Sequence, residues 1–268
     1  MYRPLPIFLL LLAIVPLLFG QAVHAADAET PKPLRLRVLT YNIHHAEGVD
    51  RKLDLQRIAR TIKQAEPDVV ALQEVDKGAT RSAAADQPAE LARLTGMQVV
   101  FGGNIKLQGG DYGNAVLSKL PIKKQQNRLM AHDAEGEQRG VLDLEIELPG
   151  KAGNLRFLAT HLDHRPDDTE RLLSAKSING LVTAVPDQPA ILAGDLNAVP
   201  DSEVLKRFRL FWTGPTDKAT IPVAKPARQI DYVLFSPAAR WKTVEAKVLD
   251  EAVASDHRAL LVVLDLLP

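Results

Sequence analysis

Apolar residues alternate with polar ones at the start of the stretch 34–42, where Leu34, Leu36 and Val38 are separated by Arg35 and Arg37. A period of two predicts a strand with one solvated face. The period then changes: over 53–66, Leu55, Ile58, Ala59, Ile62 and Ala65 fall at helical spacing and Pro67 ends the run. "DVVALQE" (68–74) reads as a buried strand. Residues 77–88 are small and polar, which predicts a surface loop, and a short helix follows near Ala89–Leu94, closed by Gly96. Strands are predicted at 97–104 and 112–119 with a glycine-rich connection between them. Residues 139–148 alternate, "PGKAGN" signals a turn, and 155–162 completes a hairpin. A helix over 168–184, a strand at 190–197 and a short helix at 202–208, capped by Ser202 or Asp201, come next. Strands at 229–236, 241–249 and 257–266 finish the chain.

Strands therefore outnumber helices, the helices fall into an early and a middle group, and no linker or short repeat divides the chain. This pattern predicts an α/β (α+β) four-layer sandwich, two packed mixed β-sheets flanked by helices, in a single domain over 34–268. A length of 268 residues suits one large domain of this kind.

The first residues follow another rule. Arg3 precedes an apolar run from Leu5 to Phe19, and small residues at Val23 and Ala25 offer a cleavage site. That layout predicts a secretory signal peptide over residues 1–25, with 26–33 as a flexible leader. The run contains Pro6 and Pro16 and falls short of the roughly 20 apolar residues of a spanning helix, so no stable membrane span is expected after cleavage. The chain has no cysteine, which excludes disulfides, a cysteine-linked lipid anchor, thiol catalysis and cysteine-ligated zinc. Export without disulfides points to a periplasm, where a large core can supply stability alone. Basic and acidic residues balance at 33 each, and the mature chain would lose only Arg3 from that balance. Nothing global steers such a chain to nucleic acid, so a nuclease is a less favoured reading, and a monomer is expected.

Chemistry enters at the strand ends. Asn42 closes the first strand, with His44 and His45 after it; Glu74 closes the second; His161 closes "FLATH", with Asp163 and His164 beside it; Asp195 and Asn197 close "ILAGDLN"; Asp231 opens "DYVLF"; Asp256 and His257 precede the last strand. Each has an ordinary reading as a turn or capping residue. Together they can converge on one cleft, where carboxylates and amides are hard ligands for Mg²⁺ or Mn²⁺ and histidines can move protons or meet a charged substrate. No Gly-x-Ser-x-Gly elbow, P-loop or His-Glu-x-x-His competes. "NIHHAEG" raises a histidine zinc site, but on an extended segment adjacent histidines point to opposite faces, so at most one would face a given metal.

Seven segments in order, "TYNI", "LQEV", "YGNAVLSKLP", "ATHLD", "GDLNA", "IDYVL" and "SDHRAL", resemble the endonuclease/exonuclease/phosphatase superfamily, whose fold is that of DNase I. They run from Thr40 to Leu260. The resemblance implies the four-layer fold and a divalent-metal-dependent hydrolysis of phosphoric esters, most simply of diesters. It implies that Asn42 and Glu74 help hold the metal, Glu74 directly, with Asp256 near it. It further implies that Asp195 and Asn197 position water and phosphate, that Asp231 orients His257, and that His161 contacts the phosphate or assists the leaving oxygen. The water's proton would go to Asp195 or His257. Asn114 and His44 are candidate substrate contacts. So are Arg81 and Arg139, for which a solvated surface arginine is the equal alternative. "TYNIHH", "LQEVD" and "TRS" look most like a bacterial branch of small hydrolases. A non-catalytic binding module of the same fold would be expected to lose one of Glu74, Asp195, Asp231 or His257, and all four are present.

Overall fold

A computed structural model describes residues 1–2, 32–133, 136–150 and 152–268. The expected signal peptide and most of the leader lie outside the described residues.

Strand β1 (Leu34–Asn42) runs parallel to β2 (Val69–Lys77), and helix α1 (Leu55–Ala65) makes the crossover. Asp54 caps α1, its carboxylate accepting from the Arg57 amide at 2.8 Å. After β2 come helix α2 (Gln87–Thr95), then β3 (Gln98–Leu107) and β4 (Gly110–Ser118), a hairpin closed by Gln108 and Gly109. Both turn residues have positive φ, as a two-residue hairpin turn requires. Strands β5 (Ile122–Leu129), β6 (Gly140–Glu147) and β7 (Asn154–His161) form a meander. Helix α3 (Thr169–Thr183) crosses over to β8 (Ala190–Asp195), parallel to β7. Helix α4 (Glu203–Phe208), capped by the Ser202 hydroxyl, and strands β9 (Asp231–Ser236), β10 (Trp241–Val248) and β11 (Leu260–Leu266) complete the chain.

The strands form two mixed sheets, ordered β10-β11-β1-β2-β4-β3 and β5-β6-β7-β8-β9. Alternation along β1 shows how they stack. Leu36 and Val38 face a core shared with Leu144, Phe157, Ile191 and Val233 of the second sheet. Leu39 and Tyr41 face the other way and pack on Ile58 and Ile62 of α1. On the far side, Leu158 and Leu192 pack on Ala175, Ile178 and Val182 of α3. The result is the expected helix–sheet–sheet–helix sandwich, and residues 32–268 make one compact unit.

Three differences from the expected elements have physical causes. β5 was not expected, because "IKKQQNRL" is almost wholly polar; it is an edge strand, exposed along much of its length. β2 continues past Glu74 to Lys77 because a bulge between Leu72 and Val75 absorbs the irregularity. β11 begins at Leu260, not 257, because Asp256 and His257 leave the ladder at the sheet end. Among the described residues, no helix is long and apolar enough to cross a membrane.

Candidate active site

Each parallel pair ends its two strands in the same direction, and a βαβ unit places ligand-binding groups at carboxyl ends. Asn42 and Glu74 come from the β1–β2 pair; His161 and Asp195 come from the β7–β8 pair, where they are register partners. Asp231 opens antiparallel β9 directly opposite Asp195. Close backbone packing helps hold this arrangement: a Cβ on Gly194 would overlap the Thr160 carbonyl oxygen. The glycine in "AGDLN" thus lets β7 and β8 approach.

Asp195 is the hub. It is 1% exposed. Its Oδ1 accepts from the Asn197 backbone amide at 2.9 Å, which Asn197 reaches by adopting φ of 47°. Its Oδ2 accepts from Asn42 Nδ2 at 3.2 Å, and the same Nδ2 donates to Glu74 Oε1 at 2.9 Å. Asn42 Oδ1 accepts from the His44 amide at 3.1 Å. So turned, Asn42 draws the carboxylates of the two sheets together. Glu74 sits in the β2 bulge with φ of 58°, a left-handed conformation that costs on the order of 1–3 kcal/mol and aims its carboxylate into the cleft.

On one side of Asp195 stands His257, with Nε2 at 3.8 Å from Asp195 Oδ2. Its Nδ1 donates to Asp231 Oδ2 at 2.9 Å. Asp231 Oδ2 also accepts from the Thr220 hydroxyl, while Oδ1 is buried without a partner among the described residues. Burial opposes charge on His257, but Asp231, then Asp195 and Asp256, outweigh it and hold the imidazolium up to about 10. Burial, reinforced by Asp231, pushes Asp195 up to about 7, with the His257 cation opposing.

On the other side stands His161, its Nε2 at 3.6 Å from Asp195 Oδ2 and 3.1 Å from the Asn197 amide nitrogen. Arg139 NH1 lies 3.1 Å from its Nδ1. A guanidinium and a side-chain amide NH2 can only donate, so both ring nitrogens of His161 face donors, a setting that disfavours the imidazolium. Burial first, then Arg139, drives the His161 pKa well below the usual histidine value, so this ring is neutral. Arg139 is no surface arginine: it is buried, and it also meets Glu137 Oε1 at 2.9 Å and His164 Nδ1 at 3.2 Å.

The remaining candidates are placed as follows. Arg81 is clamped on Asp76 by two bonds of 2.9 Å and lies 5.2 Å from the Tyr112 ring centroid, so it too is not a freely solvated arginine. Asn114 is buried in β4 and donates to the Gly140 carbonyl at 3.1 Å, leaving Oδ1 without a partner among the described residues. Asp256 is exposed, its Oδ1 3.3 Å from Ser255 Oγ. The expectation of an extended "NIHH" is corrected: His44, His45 and Ala46 have φ of 46°, 42° and 63°, a left-handed turn that puts both rings on the Glu74 side, 4.5 Å apart. Thr220 and Ser255 were not anticipated. Ser255 Oγ donates to the Asn42 carbonyl at 2.7 Å and tethers the His257 loop to β1. No motif marks a buried hydroxyl in a loop, although "SDHR" does contain Ser255.

The donor set fits a hard divalent cation. Glu74 offers a half-buried carboxylate that accepts one hydrogen bond among the described residues, and Asn42 and Asp195 hold further oxygens beside it. Paired acids, a charged and a neutral histidine, and an oxygen-rich corner at the open end of a two-sheet sandwich define a class of metal-assisted hydrolases. The sequence model of the Endonuclease/Exonuclease/phosphatase family matches residues 39–257. The chain belongs to that family, whose members hydrolyse phosphoric esters. It is 29% identical over 175 residues to the uncharacterized protein YbhP of Escherichia coli K12, covering 60% of this chain and 66% of that relative's length. It superposes on an endonuclease/exonuclease/phosphatase from Beutenbergia cavernae with a TM-score of 0.70 and 26% identity, covering 87% of this chain and 72% of that one. The fold is shared with the mannosyl-6-phosphatase Bt3783 of Bacteroides thetaiotaomicron, at a TM-score of 0.71 and 17% identity over 85% of this chain and 99% of that one.

Proposed function

We propose that this chain is an exported hydrolase of phosphoric diesters that requires Mg²⁺ or Mn²⁺ and acts at the cleft around Asp195. The observation that carries the proposal is the convergence of Glu74, Asp195, Asp231 and His257 through the Asn42 side chain and the Asp231–His257 bond. A cation held at Glu74 would neutralise phosphoryl charge and stabilise the leaving oxygen. The chain's own groups do the rest. Asp195, poised near 7 by burial, accepts the proton of the attacking water, since a base works best near the operating pH. His257, held as an imidazolium by Asp231, stabilises the charge that builds on phosphorus oxygens. His161 is neutral and stands beside Asp195 and Asn197, so it lines the phosphate corner without adding a charge. The Asn197 side chain is fixed by a bond to the Leu162 carbonyl at 3.0 Å and lines the same corner.

Export rests on the apolar run Leu5–Phe19 and the small residues before Ala25, which support cleavage and a periplasmic location. A small diester is favoured over a polynucleotide because the arginines near the cleft are matched by acids: Arg81 by Asp76, Arg139 by Glu137, Arg165 by Asp163 and Glu170. These three arginines are committed to acids rather than free to track a nucleic-acid backbone. The test is hydrolysis of bis-p-nitrophenyl phosphate, p-nitrophenyl phosphate and duplex DNA by the mature protein with Mg²⁺ or Mn²⁺. The diester should be cleaved fastest. Preference for DNA would favour a periplasmic nuclease, and no turnover of any of the three would remove the enzymatic reading.

A further inference from the structure

The left-handed turn after β1 does something the hydrolytic cleft does not use. His44, His45 and Glu74 each bring one ligand atom to within 4.8 Å of the other two. Tetrahedral ligands ~2.1 Å from a zinc ion stand ~3.4 Å apart, so a small inward movement would close such a set. Three consecutive residues without glycine, His44 to Ala46, hold positive φ, and this backbone turns both rings toward the same carboxylate. On an extended segment the rings would have diverged.

The nitrogens are prepared as ligands. His44 Nδ1 lies 2.9 Å from the Glu47 carbonyl oxygen, which can only accept, so Nδ1 carries the proton and Nε2 carries the lone pair. A carbonyl or carboxylate behind the ring is the usual support of a metal-bound imidazole. His45 is 8% exposed; its Nε2 faces Glu47 Oε2 at 3.7 Å, and its Nδ1 is buried without a hydrogen-bond partner among the described residues. A buried nitrogen with no donor is costly unless something occupies it. Arg81, the nearby cation, is already neutralised by Asp76, so it does not forbid a further positive charge.

We propose that His44, His45 and Glu74 form a binding site for a borderline transition-metal cation, such as Zn²⁺, Co²⁺ or Ni²⁺, distinct in its two imidazole ligands from the oxygen site expected for Mg²⁺. Imidazole nitrogens select such ions over magnesium. Two histidines and one carboxylate leave a coordination position open, the pattern of a site that takes up water or a substrate oxygen rather than one that only braces a fold. The two sites share Glu74, so this inference touches the proposed hydrolytic reading there, but it stands on the histidines.

The test is Zn²⁺ titration of the metal-stripped full chain, followed through the ¹H–¹⁵N spectra of the histidine rings with Mg²⁺ in excess. Two of the seven histidines should shift on binding one equivalent, and the single variants His44→Gln and His45→Gln should identify them. Each variant should bind Zn²⁺ at least about tenfold more weakly, while His132→Gln, on an exposed loop, should bind as the wild type does. If a variant fails to fold, the wild-type spectra still decide: shifts confined to rings bearing on Asp195, or no shift at all, would overturn the site. Because this readout involves no turnover, its failure leaves the phosphodiesterase reading intact, and loss of diester cleavage leaves this site intact.

Discussion

The two sides of Asp195 hold the same side chain in opposite states. His257 and His161 are both buried and both within 4 Å of Asp195 Oδ2. Behind His257 lies a carboxylate, Asp231; behind His161 lies a guanidinium, Arg139. The first makes an imidazolium, raised to about 10, and the second keeps a neutral ring with a pKa well below the usual value. Burial acts against the charge in both, so the difference comes from the charged neighbours, led by the partner at Nδ1 in each case. One cleft thus obtains a cation and a neutral ring from identical chemistry, which suits a reaction that builds negative charge at one place and must avoid excess charge at another.

The surest way to break this asymmetry is Asp231→Asn. His257 would lose its charge partner and its fixed tautomer, and kcat should fall by about 10⁴-fold, as when a triad acid is replaced by its amide. Steady-state kinetics would check this, and an unchanged kcat would remove His257 from the chemistry. Next comes the backbone contact that aligns the two sides. Gly194→Ala would drive a Cβ into the Thr160 carbonyl and should cost about 3 kcal/mol, measured as a shift in the urea midpoint. Arg139→Met attacks the His161 side. The His161 pKa should rise toward the usual histidine range, visible by NMR, and kcat should fall by roughly 10²-fold, within the range typical of proton-handling groups.

The pH dependence of stability sharpens the same contrast. The folded pKa of His257 is raised above its unfolded value of about 6.5, so its contribution is complete below that pH and is lost as pH climbs to about 10. Asp195 is raised as well; its anion is the disfavoured form, so it adds a cost that grows from about pH 4 to about 7. Both make the folded chain hold more protons, and stability should fall between pH 6 and 10 in denaturant titrations. Asp231→Asn should flatten the slope above pH 7. The smallest effect is expected of Thr220→Val, which removes one of the two donors to Asp231 Oδ2 and should cost about 1 kcal/mol with a few-fold lower kcat.

The charged side of this cleft was easier to foresee from sequence than the neutral side. Asp195, Asp231 and His257 each abut an apolar strand whose pattern declares it, so their convergence follows from the predicted sheets. β5 is not legible in the sequence because an exposed edge strand does not need apolar alternation. Arg139, at the entrance of β6, offers no sign in its own neighbourhood that it turns inward; its partners His161 and His164 are 22 and 25 residues away. The His44–His45 turn is hidden from sequence for a different reason. Left-handed φ at three residues that are not glycine goes against local preference, and tertiary contacts hold it, among them Gln87 Nε2 donating to the His45 carbonyl at 2.7 Å.

The most direct measurement is hydrolysis of bis-p-nitrophenyl phosphate by the wild type and by His257→Ala, each with Mg²⁺ and with EDTA. The account predicts that EDTA abolishes the wild-type rate and that His257→Ala lowers it by at least about 10³-fold with magnesium present. A rate that survives both the chelator and the substitution would contradict it.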